Sequence, residues 1–415
     1  MPRGFLILAA SVAAAVSVAT AQPPSYDRFF TVQTMRVDYF HTGGPGGEAL
    51  VLDRVVSDGA WPGSRFRLID DTNLGTYFFE VADLDTNRAL YSRGFGSMYG
   101  EWATTAEFRS QTRTFHESLR FPWPRAPVRI SLKKRDAGNV FRDVWSTEVD
   151  PKSRTVDLRR PRPVGRVWTV FENGPTAAKV DVLLISEGYI REQLPKFHAD
   201  VTRLVNALFS YEPFKSRKSD FNVRALDLPS GEAGITIQHN VFNLERYIMS
   251  DDNRALRDAA SAAPYDVLEI LVNEDHYGGG GIFNLQGTVA VDNERAEHVF
   301  VHELGHNLAG LGDEYVGSVP YETGAPDRPE PWEPNLTALK SPAALKWRDL
   351  VEAGTPIPTP PSFAGQVGAF EGGGYQARGL YRPEAACIMG STGPAGFCRV
   401  CQRAISRIID SYVKP

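Results

Sequence analysis

Residues 296–315, AEHVFVHELGHNLAGLGDEY, constrain this chain more than any other stretch. Within them His302 and His306 stand four apart, with Glu303 beside the first, in the pattern His-Glu-x-x-His. On a helix, positions four apart lie one above the other, with Cβ atoms roughly 5–6 Å apart. Two imidazoles so placed can hold one zinc ion, and the carboxylate between them then hangs beside the ion's open position. Zinc lowers the pKa of a water there to about 7, and a carboxylate within hydrogen-bond reach can take its proton. The fold must therefore supply a helix with one face packed and the other open to a cleft. The competing reading is a surface helix with two solvated histidines. Histidine fills only 8 of the 415 positions, which makes a chance match rare. Val299, Leu304 and Leu308 supply apolar faces, Asp292 and Asn293 are placed to cap the helix, and Glu294 suits its first turn. The helix is expected to stop at Gly310 or Gly312, with the acids Asp313 and Glu314 directly after it.

The first 21 residues read as a segment outside the fold. Arg3 gives a short basic start, an apolar run extends from Phe5 to Val18, and Ala19-Thr20-Ala21 is a small-residue cleavage site. Residues 1–21 are thus expected to be a signal peptide, cut after Ala21, and the protein to be secreted or periplasmic. Loss of Arg3 makes the formal charge of −5 one unit more negative, which gives no reason to expect nucleic acid as a partner. No other apolar run approaches the ~18 residues a membrane span requires.

The three cysteines, Cys387, Cys398 and Cys401, fall within fifteen residues of one another. In an oxidising compartment the expectation is one disulfide with one thiol left over. The alternative is that Cys398-x-x-Cys401 forms half of a zinc site, with Cys387 as a third sulfur.

Residues 26–158 read as β. Met35, Val37 and Tyr39 alternate with Arg36 and Asp38; Tyr77, Phe79 and Val81 flank Glu80; Val128, Ile130 and Leu132 alternate with polar residues up to Lys133. A period of two marks half-buried strands, and several short strands between turn formers suggest a sandwich. Lys133-Lys134-Arg135 reads as a solvated strand end, and Pro161-Arg162-Pro163 as the joint between a domain over 22–160 and a second over 164–415. Beyond the joint the pattern changes. Val180–Ile185 is a buried strand, Phe197, Val201, Leu204, Val205 and Leu208 recur at helical spacing, and further strands fall at 221–226 and 265–272. That order implies an α/β layer with largely parallel pairing. Gly278–Gly281 lacks the lysine of a phosphate loop and reads as a cleft rim where backbone approaches substrate, or as a flexible loop. Residues 316–365 read as an irregular loop layer, Asn335-Leu336-Thr337 as a glycosylation sequon, and 402–412 as a closing packed helix.

The zinc helix with its Gly-Asp-Glu-Tyr extension, the Glu187-Gly188-Tyr189 turn after a buried strand, and Gly279–Asn284 together resemble the IgA-peptidase family of zinc metallopeptidases, metallo family 64. Cys387-Ile388-Met389 and the closing Phe397-Cys398-x-x-Cys401 add to the resemblance, which spans most of the mature chain. It implies an α/β (α+β) zincin-like catalytic domain preceded by an all-β sandwich domain, zinc as cofactor, and an exported endopeptidase acting on proteins or peptides. Related metzincin proteases read His-Glu-x-x-His-x-x-Gly-x-x-His. Here the glycine comes one residue later, at Gly310, and Asp313 occupies the place of the last histidine, with Glu314 as the neighbour able to replace it. Met389 resembles the Met-turn residue beneath the metal, or is plain core filling. His298, one turn before His302, reads as packed or solvated. The expectation is a zinc site of His302, His306 and Asp313, with Glu303 as general base and then general acid. Two rivals remain at this level: a secreted hydrolase of non-peptide amides or esters, and a protein binding a glycan or cell-surface ligand, with a vestigial zinc helix.

Overall fold

The computed structural model describes residues 24–231, 235–317, 330–390 and 395–414. The signal-peptide reading of 1–21 lies outside them, as does part of the loop layer expected over 316–365.

A single helical turn, α1 (Tyr26–Phe29), leads into a long hairpin of β1 (Phe30–Gly44) and β2 (Gly47–Ala60). There follow β3 (Tyr77–Asp83), β4 (Ala89–Phe95), a short helix α2 (Met98–Trp102) and β5 (Arg113–Pro124). β6 (Val128–Arg135), β7 (Phe141–Val149) and β8 (Val156–Asp157) complete the N-terminal region. Two four-stranded sheets result, ordered β5-β1-β2-β8 and β4-β3-β6-β7. One apolar core joins them, with Met35, Val37 and Tyr39 from the first and Phe79, Val81, Ile130 and Leu132 from the second.

β9 (Arg166–Phe171) opens a six-stranded sheet that continues with β10 (Val180–Glu187), β11 (Phe221–Asp227), β12 (Val267–Val272), β13 (Gly279–Ile282) and β14 (Gln286–Ala290). The order is β13-β14-β12-β10-β11-β9; the inner four strands run parallel, and both edge strands are antiparallel to their neighbours. Parallel strands need crossovers and are covered on both faces, which is why β10 carries the unbroken apolar run Val182-Leu183-Leu184-Ile185. The crossovers are helical: α3 (Leu194–Leu208) between β10 and β11, and α4 (Asn253–Ala260) between β11 and β12. The helix α5 (Ala296–Ala309) follows β14, then a hairpin of β15 (Phe370–Gly373) and β16 (Gln376–Arg382), and α6 (Arg399–Val413) closes the chain. Phe197 and Leu204 of α3, Phe300 and Leu304 of α5, and Ile405 and Ile409 of α6 share one core on one face of the sheet. Leu256 and Ala259 of α4 pack with Leu183, Ile185 and Leu268 in a separate core on the other. Among the described residues no helix is long and apolar enough to cross a membrane.

The alternation in β1 misleads at one point. It places Arg36 and Asp38 on a solvated face, yet both are fully buried. The reason is α4, whose Asp258 reaches over that face and pairs with Arg36. Arg36 also donates to Asp58 at 2.7 Å and lies 3.0 Å from Asp38. Arg54 bridges Asp38 and Asp258, at 2.7 Å from each. Buried charges survive only when paired in this way. Apolar residues reinforce the contact, since Val241, Phe242, Met249, Ile282 and Leu285 pack into the N-terminal core.

Candidate active site

The helix α5 is held by its apolar side, with Val299, Phe300, Val301, Leu304 and Leu308 all buried. Asn307 ties it to the sheet, donating to Leu268 O at 3.0 Å and to the buried Glu269 carboxylate at 2.8 Å. The glycines around it are there for close approach. A Cβ on Gly281 would stand 2.4 Å from the Glu303 carbonyl oxygen, and one on Gly279 would stand 2.5 Å from Val299. Gly278–Gly281 is therefore no loose loop: Gly279–Ile282 form the edge strand β13, which does line the cleft but is glycine-rich because the histidine helix lies directly on it. Within the motif, a Cβ on Gly305 would meet the Met389 sulfur at 3.0 Å, so the fully buried Met389 sits against the helix between the two histidines.

The helix ends as expected at Gly310, whose φ of 59° lies in the left-handed region that favours glycine. Its start differs. Arg295 is the N-cap and makes no side-chain cap bond, and Glu297 takes the first-turn position expected of Glu294. Asn293 instead turns the chain just before the helix, its side chain accepting from Arg295 N at 3.0 Å.

His302, His306 and Asp313 converge. Nε2 of His302 lies 3.1 Å from Nε2 of His306 and 3.0 Å from Asp313 Oδ1, and His306 Nε2 lies 3.4 Å from the same oxygen. Backbone carbonyls set the ring orientations: His302 Nδ1 donates to Ile388 O at 3.0 Å, and His306 Nδ1 donates to Leu311 O. With Nδ1 as the donor to each carbonyl, the Nε2 atoms face the common point and would turn their lone pairs to a metal on losing the Nε2 proton. Burial works against the charged form of His306, but the Asp313 carboxylate holds its pKa up to about 10. Burial likewise opposes the Asp313 anion, and the two imidazoles more than offset it, keeping the carboxyl far below the usual range. Asp313 is thus an anion aimed at the histidines. Its other oxygen accepts from the Tyr375 hydroxyl. Tyr375 is brought there by the turn between β15 and β16, where Gly374 N donates to Asp313 O at 2.7 Å and Tyr375 N to Tyr315 O at 3.0 Å.

Glu303 projects beside these groups into a cleft of about 980 Å³, and burial raises its carboxyl pKa. His298 lines the same cleft, its ring stacked 6.0 Å from that of His302. Arg246 donates to the Tyr315 hydroxyl at 2.8 Å, and both residues face the cleft. One wall comes from the N-terminal region: Gly100, Glu101, Arg135 and Asn139 all line it. Arg135, read from sequence as part of a solvated strand end, instead donates to Gly75 O at 2.9 Å at the cleft wall. Burial pushes the Glu101 carboxyl up to about 7, with the charges of Glu333 and Asp313 adding to the rise and His306 opposing it. Tyr375, Arg246 and Glu101 escape sequence reasoning, because none lies within the motif or at a fixed spacing from it; Tyr315 closes the Gly-Asp-Glu-Tyr extension, but nothing in the sequence gives it a role. The Gly372-Gly373-Gly374-Tyr375 run was the one available signal, marking a turn without saying what it meets.

Two further expectations need correction. No disulfide joins Cys387, Cys398 and Cys401, all three of them buried. Their sulfurs gather around the Glu314 carboxylate, with Cys387 Sγ 3.8 Å from Cys401 Sγ. The Asn335 sequon is also closed to glycosylation in the fold. Asn335 is fully buried, accepts from Gly312 N at 2.7 Å, and donates to Gly312 O at 2.8 Å and Glu314 Oε1 at 2.9 Å.

Comparison with known proteins gives the family. The family described as IgA Peptidase M64 matches residues 169–363 and 361–409, more than half of the chain. A second family, described as Peptidase M64 N-terminus, matches residues 25–146. No curated protein matches the chain. With an α/β region carrying the histidine helix and a β-rich region before it, both matched in order, the chain belongs to the M64 family of metallopeptidases.

Proposed function

We propose that this protein is an exported zinc endopeptidase that hydrolyses internal peptide bonds of protein substrates. In this reading residues 1–21 are a signal peptide, 22–160 a β-sandwich domain and 164–415 a zincin-like catalytic domain. The observation that supports it most is the convergence of His302 Nε2, His306 Nε2 and Asp313 Oδ1, at 3.0–3.4 Å from one another. Tetrahedral zinc with bonds of about 2.0–2.1 Å needs ligand atoms about 3.3–3.4 Å apart, and two imidazoles with one carboxylate are a donor set suited to it. When bound there, zinc would supply a Lewis acid and a water of lowered pKa.

The protein's own groups do the rest. Ile388 O and Leu311 O keep the imidazoles turned to the cleft, and Tyr375 keeps Asp313 turned to the imidazoles. Glu303, which is not among the three converging groups, is free to take a proton from the attacking water and return it to the leaving amine. Arg246 and Tyr315 are donors on the cleft wall for an oxyanion developing on the scissile carbonyl. A cleft of about 980 Å³ with walls from both regions suits an extended chain passing through it. The test is digestion of a denatured protein before and after chelation. Cleavage should vanish with the metal and return with zinc; a fully active chain free of transition metal would contradict the reading.

A further inference from the structure

We propose that Glu314, Cys387, Cys398 and Cys401 form a second, closed metal site that binds zinc as a structural ion. One ligand atom from each of the four lies within 4.8 Å of all the others. The separations match a shared ion. Cys387 Sγ and Cys401 Sγ are 3.8 Å apart, and Glu314 Oε1 is 3.2 Å from Cys401 Sγ and 3.8 Å from Cys398 Sγ. Tetrahedral zinc, with Zn–S of about 2.3 Å and Zn–O of about 2.0 Å, requires sulfur pairs about 3.8 Å apart and sulfur–oxygen pairs about 3.5 Å apart. A disulfide would need about 2.0 Å.

Burial gives an independent reason. Exposure is 1% at Glu314, 1% at Cys387, 4% at Cys398 and 0% at Cys401. A carboxylate so buried is costly without a cation. Glu314 enters no ion pair among the described residues, and its Oε2 has no hydrogen-bond partner there. The backbone is arranged for thiolates. Cys398 caps α6 and its N–H points at Cys387 Sγ, 3.3 Å away, while Cys401 N–H points at Cys398 Sγ, 3.5 Å away. Amide hydrogens and a helix N-terminus both favour the deprotonated sulfur that zinc needs. With four protein donors and no access to solvent, the site has no open position for chemistry.

Its position explains what it does. Glu314 directly follows Asp313, and its N–H donates to Met389 O at 2.7 Å. Cys387 directly precedes Ile388, whose carbonyl orients His302. Cys398 and Cys401 begin α6, which packs on α5 in the shared core. A zinc ion here fastens together the three segments that aim Asp313 and His302.

The site is separable from the catalytic one, so the test uses the full mature chain carrying His302→Ala and His306→Ala. Circular dichroism verifies folding, and metal is measured after zinc loading and desalting. About one zinc per chain should remain, and three thiols should titrate after denaturation in chelator. Loading the same variant with cobalt(II) should give a strong sulfur-to-cobalt charge-transfer band, which Cys401→Ser should diminish. If the serine variant fails to fold, the cobalt spectrum of the chain with intact cysteines decides alone. A folded double-histidine variant with no retained zinc and no such band overturns the proposal, as does a native mass and thiol count showing a disulfide. Neither result touches the reading of the catalytic cleft.

Discussion

Asp313 and Glu314 are neighbours in the chain whose carboxylates serve different clusters. Asp313 Oδ1 lies 3.0 Å from His302 Nε2, whereas Glu314 Oε1 lies 3.2 Å from Cys401 Sγ. Gly312, immediately before them, is clamped at both its N–H and its carbonyl by Asn335, which fixes where the pair emerges. Two adjacent acids are thereby sorted to two sites by the backbone that carries them.

That sorting makes the proposed role of Asp313 as third zinc ligand testable. Asp313→Ala should abolish zinc binding in the cleft. Tyr375→Phe, which removes only the hydroxyl donating to Asp313, should weaken it ~10–100-fold. Zinc titration of the folded variants checks both; unaltered cleft affinity in Asp313→Ala would show that Asp313 is not a ligand.

Glu303→Ala should retain zinc and fold while losing turnover. General acid–base groups typically contribute ~10²–10⁴-fold, and the side chain is not one of the three converging groups. Retention of more than about a tenth of the wild-type rate would remove Glu303 from the role of base.

Gly281→Ala should both destabilise the chain and impair cleavage. The added methyl has to displace the Glu303 carbonyl from 2.4 Å, and hence the helix that carries both histidines. Overpacking of this kind typically costs about 1–3 kcal/mol. Thermal unfolding compared with wild type measures it, and an unchanged midpoint would mean that β13 and α5 are less tightly opposed than described.

Arg36→Ala should cost about 3–5 kcal/mol, because it leaves the carboxylates of Asp38, Asp58 and Asp258, two of them fully buried, to only two remaining cations, Arg54 and Arg120. Asp258→Ala should cost less, since Asp258 is a third exposed and Arg36 keeps two other partners. Denaturant unfolding ranks the two. A larger loss for Asp258→Ala would contradict this account of how α4 sits on β1.

The sequence discloses the parts of this site whose chemistry is local. His302, Glu303 and His306 are legible because one helical turn sets their geometry, and Asp313 because Gly310 fixes where the chain turns. Tyr375 and the Ile388 carbonyl are not, since they arrive from more distant segments and leave no periodic trace at the motif. Alternation in β1 tells which side Arg36 takes, but not that α4 will cover that side. The cysteine spacing allows either a disulfide or shared ligation, and only the side chain of Glu314, arriving from the far end of another segment, separates the two. The helix start is misread because Asp292 and Asn293 have capping side chains, whereas the backbone there enters the helix three residues later, at Ala296.

The most direct test of the central claim is mass-spectrometric mapping of new termini in a complex protein mixture, comparing the zinc-loaded mature chain with zinc-loaded Glu303→Ala. An endopeptidase should create many internal cleavage sites with the wild-type chain, abolished by chelation and nearly absent with the variant. A wild-type chain that holds its zinc yet creates no new internal termini, or a variant that creates the same ones at the same rate, would contradict the account.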